Sequence, residues 1–449
     1  MSNVESIPSA RRLIRSLRDM GYDFSQAVAD IVDNAVTAKA TTVHIDIQFE
    51  GDESWVRVSD DGIGMKPEIL REAMRFGSQR DYTEDDLGKF GLGLKTASLS
   101  QCECLSVASR WNPDRADIAG YSWDLEHVDR TNRWEIIPLE REGSSAAVRD
   151  PLKEHPGTVV LWRRLDRLLG YKHPYGEASR KRLSQMCREV EVHLAMVFHR
   201  FLSGEAGRRQ LKIFVNDNKL EPWDPFCRSE VHTKTLQEIS FDLEHENQRG
   251  TVVLQPYILP SQDSFSSRAA AEVASGPANW NQQQGFYIYR AHRMIQSGGW
   301  SNLRAADEHI KLARVAVFFP PALDDAFKVN VAKMRVQMPA TLRDGIRTAI
   351  TPVTKLARET YDRKTRLIPP PPAAPDVRGR VNSPVTPVSA QPNASNAVAR
   401  VPAQSRTGVE ANTVTVDRYT FDEWAALLLA ETRGTERDVV TKVLRRVRR

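Results

Sequence analysis

Two spacings of apolar side chains divide this chain into elements. Residues 25–40, Ser-Gln-Ala-Val-Ala-Asp-Ile-Val-Asp-Asn-Ala-Val-Thr-Ala-Lys-Ala, carry an amphipathic helix pattern. Asp30 and Asn34 stand four apart in it and share one face. Period-two alternation in Trp55-Val56-Arg57-Val58 predicts a strand, which runs into Ser59-Asp60-Asp61-Gly62-Ile63-Gly64-Met65. Residues 1–205 form a first block that holds the glycine motifs. A second block, 206–365, opens on the strand-like Leu211-Lys212-Ile213-Phe214-Val215 and closes on a helical stretch to about Arg366. Within it, Gly285 to Ile295 reads as strand, turn and strand, and Ser261 to Gln284 as an inserted polar loop.

The pattern changes over 366–416, where Pro369-Pro370-Pro371-Pro372, Pro375, Pro384, Pro387, Pro392 and Pro402 stand among Ser, Ala, Asn and Val. That composition predicts a disordered linker, locally stiffened as polyproline II. In the tail, 417–449, Phe421 to Ala430 reads as a short helix. Beyond Arg433, Val439, Val440, Val443, Leu444 and Val447 fall at helical spacing while Lys442, Arg445, Arg446, Arg448 and Arg449 cover the rest, a basic module suited to gripping a partner.

Composition narrows the class. With 449 residues, 41% hydrophobic and 27% charged, the chain is expected to be soluble and to bury at least two cores. No run approaches the roughly 18 apolar residues of a membrane helix, and Met1-Ser2-Asn3-Val4-Glu5 lacks the layout of a secretory signal. The expectation is a cytoplasmic protein with no membrane partner, its four cysteines (Cys102, Cys104, Cys187, Cys227) reduced. A net charge of +5 is too mild to establish a nucleic-acid partner by itself.

Three strings in the first block carry chemistry. A carboxylate and a carboxamide on one helix face, Asp30 and Asn34, suit a water and a hydrated Mg²⁺, which takes oxygen ligands and keeps several waters. In Asp60-x-Gly62-x-Gly64 the glycines let backbone approach a flat ligand, and the strand-end carboxylate suits an exocyclic amino group; Asp-Gly alone usually marks only a turn. In Gly88-Lys89-Phe90-Gly91-Leu92-Gly93-Leu94-Lys95 the glycines allow backbone N–H groups to face phosphate oxygens. The spacing fits neither a Walker loop nor a dinucleotide fingerprint.

Taken in order, and followed by Gly157-Thr158-Val159-Val160-Leu161-Trp162, these strings resemble the GHKL ATPases: gyrase B, the chaperones of that superfamily, histidine kinases, MutL and MORC. Ile7-Pro8, Ser16-Leu17-Arg18, Gly21-Tyr22, Ala73-Met74-Arg75-Phe76-Gly77-Ser78 and Thr96 to Cys102 extend the resemblance toward the bacterial MORC-like branch. The resemblance implies an α+β chain: a Bergerat-type α/β sandwich ATPase domain over 1–205, an α/β transducer-like domain over 206–365, then the linker and helical tail. It implies ATP and Mg²⁺ as cofactors, with Asn34 on the metal and Asp60 on the adenine amino group. Gly62, Gly64 and Met65 would shape the adenine pocket, and residues 77–95 the lid, where Gly88, Gly91, Gly93 and Lys95 would contact the phosphates. Thr158 would hold a water shared with Asp60 and adenine. Asp30 takes the place of the general base, a Glu in gyrase B, MutL and the chaperones; it is shorter by about 1.5 Å, so slow hydrolysis is expected, with Asp33 the alternative base.

In the second block, Phe327 to Val336 resembles the MutL strand that ends in a lysine sensing the terminal phosphate, which makes Lys333 the candidate and Arg335 the second. His292 and His309 have no nucleophile partner and read as structural, and Trp162, Trp300, Phe318 and Phe319 as core or interface aromatics. The function this implies is an ATP-dependent switch whose lid closure pairs two N-terminal domains. It would act on DNA or a DNA-processing partner in a bacterial defence or restriction-like system. The alternative is an ATP-sensing module with little turnover that recruits a nuclease or helicase through the tail.

Overall fold

The computed structural model describes residues 7–19, 21–77, 93–114, 117–139, 146–168, 173–207, 209–246, 248–329 and 336–367. The linker from residue 368 and the basic tail lie outside the described residues. The helices are α1 (Ala10–Arg18), α2 (Phe24–Thr37), α3 (Pro67–Met74), α4 (Gly93–Leu99), α5 (Leu125–Thr131), α6 (Ala146–Arg149), α7 (Glu177–Val197), α8 (His199–Leu202), α9 (Arg268–Ala274) and α10 (Arg343–Leu367). The strands of the first sheet are β1 (Thr42–Gln48), β2 (Trp55–Asp60), β3 (Cys104–Arg110), β4 (Ala119–Asp124), β5 (Ile137–Pro138), β6 (Gly157–Arg163), β7 (Lys212–Val215) and β8 (Asn218–Lys219). Those of the second are β9 (Lys234–Thr235), β10 (Ile239–His245), β11 (Gln248–Ile258), β12 (Gly285–Arg290), β13 (Arg293–Ser297) and β14 (Ala313–Phe319).

The first sheet runs β5-β4-β3-β6-β2-β1-β7-β8 and is antiparallel except where β1 pairs in parallel with β7. Leu211 to Val215, expected to open the second block, is therefore largely a strand of the first sheet. Every residue of β3 is buried because both faces are covered. Leu105 and Val107 join the main core, while Ala108 joins Val148, Leu152, Val159 and Leu161 in a smaller core beneath α6.

Helix α2 starts with a capping box: Asp23 accepts the Gln26 backbone N–H, and Gln26 returns a carboxamide oxygen to the Asp23 N–H. The sequence pattern predicts one wet face, yet Asp30 and Asp33 are buried alongside Ala27, Val28, Ile31, Val32, Ala35 and Val36, and Asn34 is exposed. The helix is a central layer packed against α4 and α7, so its acids meet partners rather than water.

The second sheet runs β10-β11-β14-β12-β13, with β9 on β11, and only β12–β14 is parallel. The predicted strand, turn and strand is the hairpin β12–β13, whose turn residues Ala291 and His292 both have positive φ, 45° and 69°. Such turns normally take Asn-Gly; here His292 is held edge-on to Phe201 at 6.4 Å. The segment read as a polar loop contains α9, capped by Ser267 and anchored by buried Ala271 and Ala274. One continuous core runs from α1 through both sheets to α10. Among the described residues no helix is long and apolar enough to cross a membrane, and the four cysteines are free.

Candidate functional site

The turn after β2 docks on the C-terminal end of α2, which brings Asp60 beside the helix turn that carries Asn34. Ile63 N–H donates to the Ala38 carbonyl at 3.0 Å, the contact that seats the turn. A Cβ on Gly62 would meet the Ala38 oxygen at 2.8 Å, and one on Gly64, where φ is +64°, would collide with the Arg110 carbonyl oxygen. Both glycines are thus required by backbone approaching backbone. Gly157, at the start of β6, is equally constrained, because a Cβ there would collide with the Asp60 carbonyl oxygen.

The two adjacent acids have different tasks. Asp61 accepts the Thr41 and Thr42 N–H groups at 2.7 and 2.8 Å and the Thr41 hydroxyl at 2.6 Å. Burial pushes its carboxyl up, but these bonds outweigh it and hold it below the ordinary range. Asp60 accepts the Gly62 N–H at 2.9 Å. Burial dominates there and raises its carboxyl to about 7, partly opposed by the Gly62 and Thr158 backbone N–H groups. Asp61 fixes the start of β1; Asp60 is a strand-end acid poised near neutrality, the kind of group found at sites.

Thr158 pairs with Asp60 across β2 and β6. Its hydroxyl lies 3.1 Å from Ser109 Oγ, which accepts the Met65 N–H at 2.8 Å and donates to the Gly157 carbonyl at 2.8 Å. Fully buried Ser109 therefore ties Met65, Gly157 and Thr158 into one wall. A hollow of about 550 Å³ on the same turn is lined by Lys39, Ile63, Trp111 and His155, and by Asp61 rather than Asp60.

On α2, Asp30 is 3% exposed. The Tyr22 hydroxyl donates to its Oδ2 at 2.8 Å, and the Thr96 side chain of α4 hydrogen-bonds Tyr22 in turn. Burial, with Asp30 beside it, pushes the Tyr22 hydroxyl pKa well up, so it remains a donor. Asp33 is committed elsewhere: Arg293 Nε donates to its Oδ1 at 2.7 Å, across 260 residues of chain. Gly93 opens α4 next to the base candidate, where a Cβ would lie 3.4 Å from Asp30 Oδ2. Lys95 points away from that face: its ammonium, 2% exposed at the residue level, donates to the Ala73 carbonyl at 2.8 Å, and burial lowers its pKa to about 8. Gly88, Gly91, Lys333 and Arg335 lie outside the described residues.

The structure thus gathers Asp60, Gly62, Gly64, Met65 and Thr158 on one turn and its neighbouring strand, with Asn34 one helix turn from the docking point and Asp30 one turn further in. Sequence reading missed Tyr22, Ser109 and Arg293. Ser109 lies in a strand with no motif, and nothing local to Arg293 signals a partner in α2. Tyr22 immediately precedes the Asp23 helix cap, and that adjacency is the local signal that it borders α2.

Residues 22–158 match the family described as histidine kinase-, DNA gyrase B- and HSP90-like ATPases. The DNA mismatch repair protein MutL of Kosmotoga olearia is 50% identical over 96 residues, covering 20% of this chain and 15% of that protein. ATPase morc-1 of Caenorhabditis elegans is 36% identical over 72 residues, 16% of this chain and 8% of that protein. The MutL of Treponema pallidum is 25% identical over 178 residues, 39% of this chain and 28% of its own length. The chain therefore spans less than a third of each of these relatives. Over residues 22–158 it carries an ATPase domain of the GHKL superfamily, of the MutL- and MORC-like kind.

Proposed function

We propose that this chain is an ATP-dependent switch that binds ATP with Mg²⁺ between α2 and the Asp60–Met65 turn and hydrolyses it slowly. The observation that carries the reading is the docked turn itself: two glycines packed backbone to backbone, an acid near neutrality, and the Ser109–Thr158 wall beside it. Asp60 would accept the adenine amino group, Gly62, Gly64 and Met65 would bound the base, and Thr158 would hold a shared water. Asn34 would hold Mg²⁺, whose charge offsets that of the phosphate oxygens. Gly88, Gly91, Gly93 and Lys95 would face the phosphates; for Lys95 this requires release from Ala73, which fits a lid that rearranges over residues 77–95. Lys333, or Arg335, would sense the terminal phosphate. Asp30 is the base in preference to Asp33, whose carboxylate is held by Arg293.

Two copies would pair through their N-terminal domains when the lid closes, and the pair would act on DNA or on a DNA-processing partner in a bacterial defence or restriction-like system. The names of the MutL and morc-1 relatives support the ATPase and DNA part of this reading. The defence part rests on the MORC-like resemblance, and the tail beyond the linker would supply the contact to a nuclease or helicase. Two measurements test the switch: phosphate release by the purified chain against Asp30→Ala, and light scattering with a non-hydrolysable ATP analogue. Release lost in Asp30→Ala and a doubling of mass are the expected results. Binding without turnover would favour the recruitment module instead, and no nucleotide binding would sink both.

Asp60 also sets a pH dependence. Its folded-state carboxyl lies near 7, above the ordinary 3.8, so its contribution to stability is full below about pH 4 and is lost as pH rises through 7. An amino donor favours the ionised form, so nucleotide affinity moves the other way and rises with pH through 7. Calorimetric titration is expected to give about tenfold weaker binding at pH 6 than at pH 8. The comparison is made as a ratio to Asp60→Asn, which cancels titration of the phosphates; a ratio that stays flat removes Asp60 from the adenine contact.

A further inference from the structure

A side chain from the second block that reaches into α2 is Arg293, at the start of β13. Its Nε lies 2.7 Å from Asp33 Oδ1 and its Nη2 lies 3.9 Å from Asp30 Oδ1, with all three side chains 5% exposed or less. Nη1 donates to the Met294 carbonyl at 3.3 Å, and the guanidinium lies 5.7 Å from the Phe198 ring centroid, so the group is packed and oriented from behind. One cation therefore stands against two buried carboxylates a single helix turn apart. A staple between the blocks would need only the bond to Asp33. The second nitrogen does more, because at low dielectric a cation at this range pulls on the Asp30 carboxylate.

Asp30 is held from the other side by the Tyr22 hydroxyl, itself bonded to Thr96 of α4. Its two oxygens are thus addressed from two directions: Oδ2 by Tyr22, just ahead of α2, and Oδ1 from the hairpin β12–β13. The same end of the hairpin is anchored on its other strand, where buried Arg290, paired in register with Arg293, makes a bidentate pair with Asp324 at 2.8 and 2.9 Å, in the stretch leading to Lys333. Its turn keeps Ala291 and His292 at positive φ, a conformation maintained only while the surroundings impose it.

We propose that Arg293 is a positioning residue for Asp30, so that nucleotide turnover requires hairpin β12–β13 to be seated against α2. This rests on the reading of Asp30 as the base, and it adds the device by which the second block sets the activity of that base. The half-buried His193 on α7, its imidazole pushed down to about 4 first by burial and then by Arg293, adds no charge to the cluster near neutral pH. Among the described residues, the Arg293 guanidinium is a cation placed against both acids.

The test is Arg293→Lys. A lysine supplies the charge and a bond to Asp33 but has no second nitrogen for Asp30. Its kcat for ATP is expected to fall about 100-fold, with KM within about threefold. The double variant Arg293→Gln with Asp33→Asn, which keeps a hydrogen-bonded staple between two neutral side chains, is expected to fold and to be equally slow. Turnover at the wild-type rate in Arg293→Lys would overturn the proposal, because it would leave Arg293 a staple alone. Crystal structures of nucleotide-free wild type and Arg293→Lys give a readout independent of ATP. An Asp30 carboxylate displaced from Tyr22 in the variant supports the proposal, and an unmoved one overturns it. Wild-type protein that neither binds nor hydrolyses ATP would sink the proposed function instead, while the displacement would still decide the contact.

Discussion

Asp30→Asn is expected to lower ATP turnover about a thousandfold, the range of a lost general base, while nucleotide affinity stays within about threefold of wild type. The substitution is nearly isosteric and leaves the Asp60 turn untouched, so the adenine contacts proposed for that turn would persist. Tyr22 would still donate, now to a carboxamide oxygen, and Arg293 would retain Asp33 at 2.7 Å. The fold should therefore lose only about 1 kcal/mol, the scale of one altered hydrogen bond. Single-turnover phosphate release alongside fluorescent-nucleotide titration separates the two quantities. Turnover within tenfold of wild type would move the role of base away from Asp30. Asp33→Asn is the natural companion, since its expected defect runs through a loosened Arg293.

Gly64→Ala is expected to cost about 3 kcal/mol of folding stability. A left-handed backbone costs a non-glycine residue about 1–2 kcal/mol, and forcing a methyl into a packed contact costs about 1–3 kcal/mol more. The contact here is a carbonyl oxygen on a central strand, not the end of a flexible side chain. Arg110 has little room to yield, because its guanidinium donates to the Leu152 and Pro113 carbonyls at 3.0 and 2.7 Å. The turn must then lift, which breaks the Met65 N–H bond to Ser109 and parts the turn from the Ser109–Thr158 wall. Urea denaturation measures the loss; a cost below about 1 kcal/mol would show that the turn relaxes freely.

The parts of the site legible in the chain are those encoded by short-range spacing. Asp30 and Asn34 at i and i+4, and the glycines around Asp60, declare themselves because helix period and backbone approach leave a local mark. Arg293, Ser109 and Tyr22 act through contacts that exist only after packing. Burial also inverted one expectation: Asp30 and Asp33 look like the wet side of an amphipathic helix, yet α2 is interior and its acids are satisfied by Tyr22 and by an arginine from the other block. Likewise the Ser- and Asn-rich stretch after residue 261 hides α9, whose small alanines pack without a strong apolar stripe. The parallel pairing of β7 with β1 escaped a linear reading because nothing in Lys212 to Val215 records which edge it will join.

That pairing has a practical bearing on taking the molecule apart. A fragment ended at residue 205 would strip β7 from β1 and bare a row of backbone donors and acceptors beside Val43, Ile45 and Ile47, which are buried in the intact chain. Bared edges of that kind template association with other chains. Soluble production of the half built on the first sheet therefore calls for carrying the sequence through Lys219, so that β7 and β8 close the sheet.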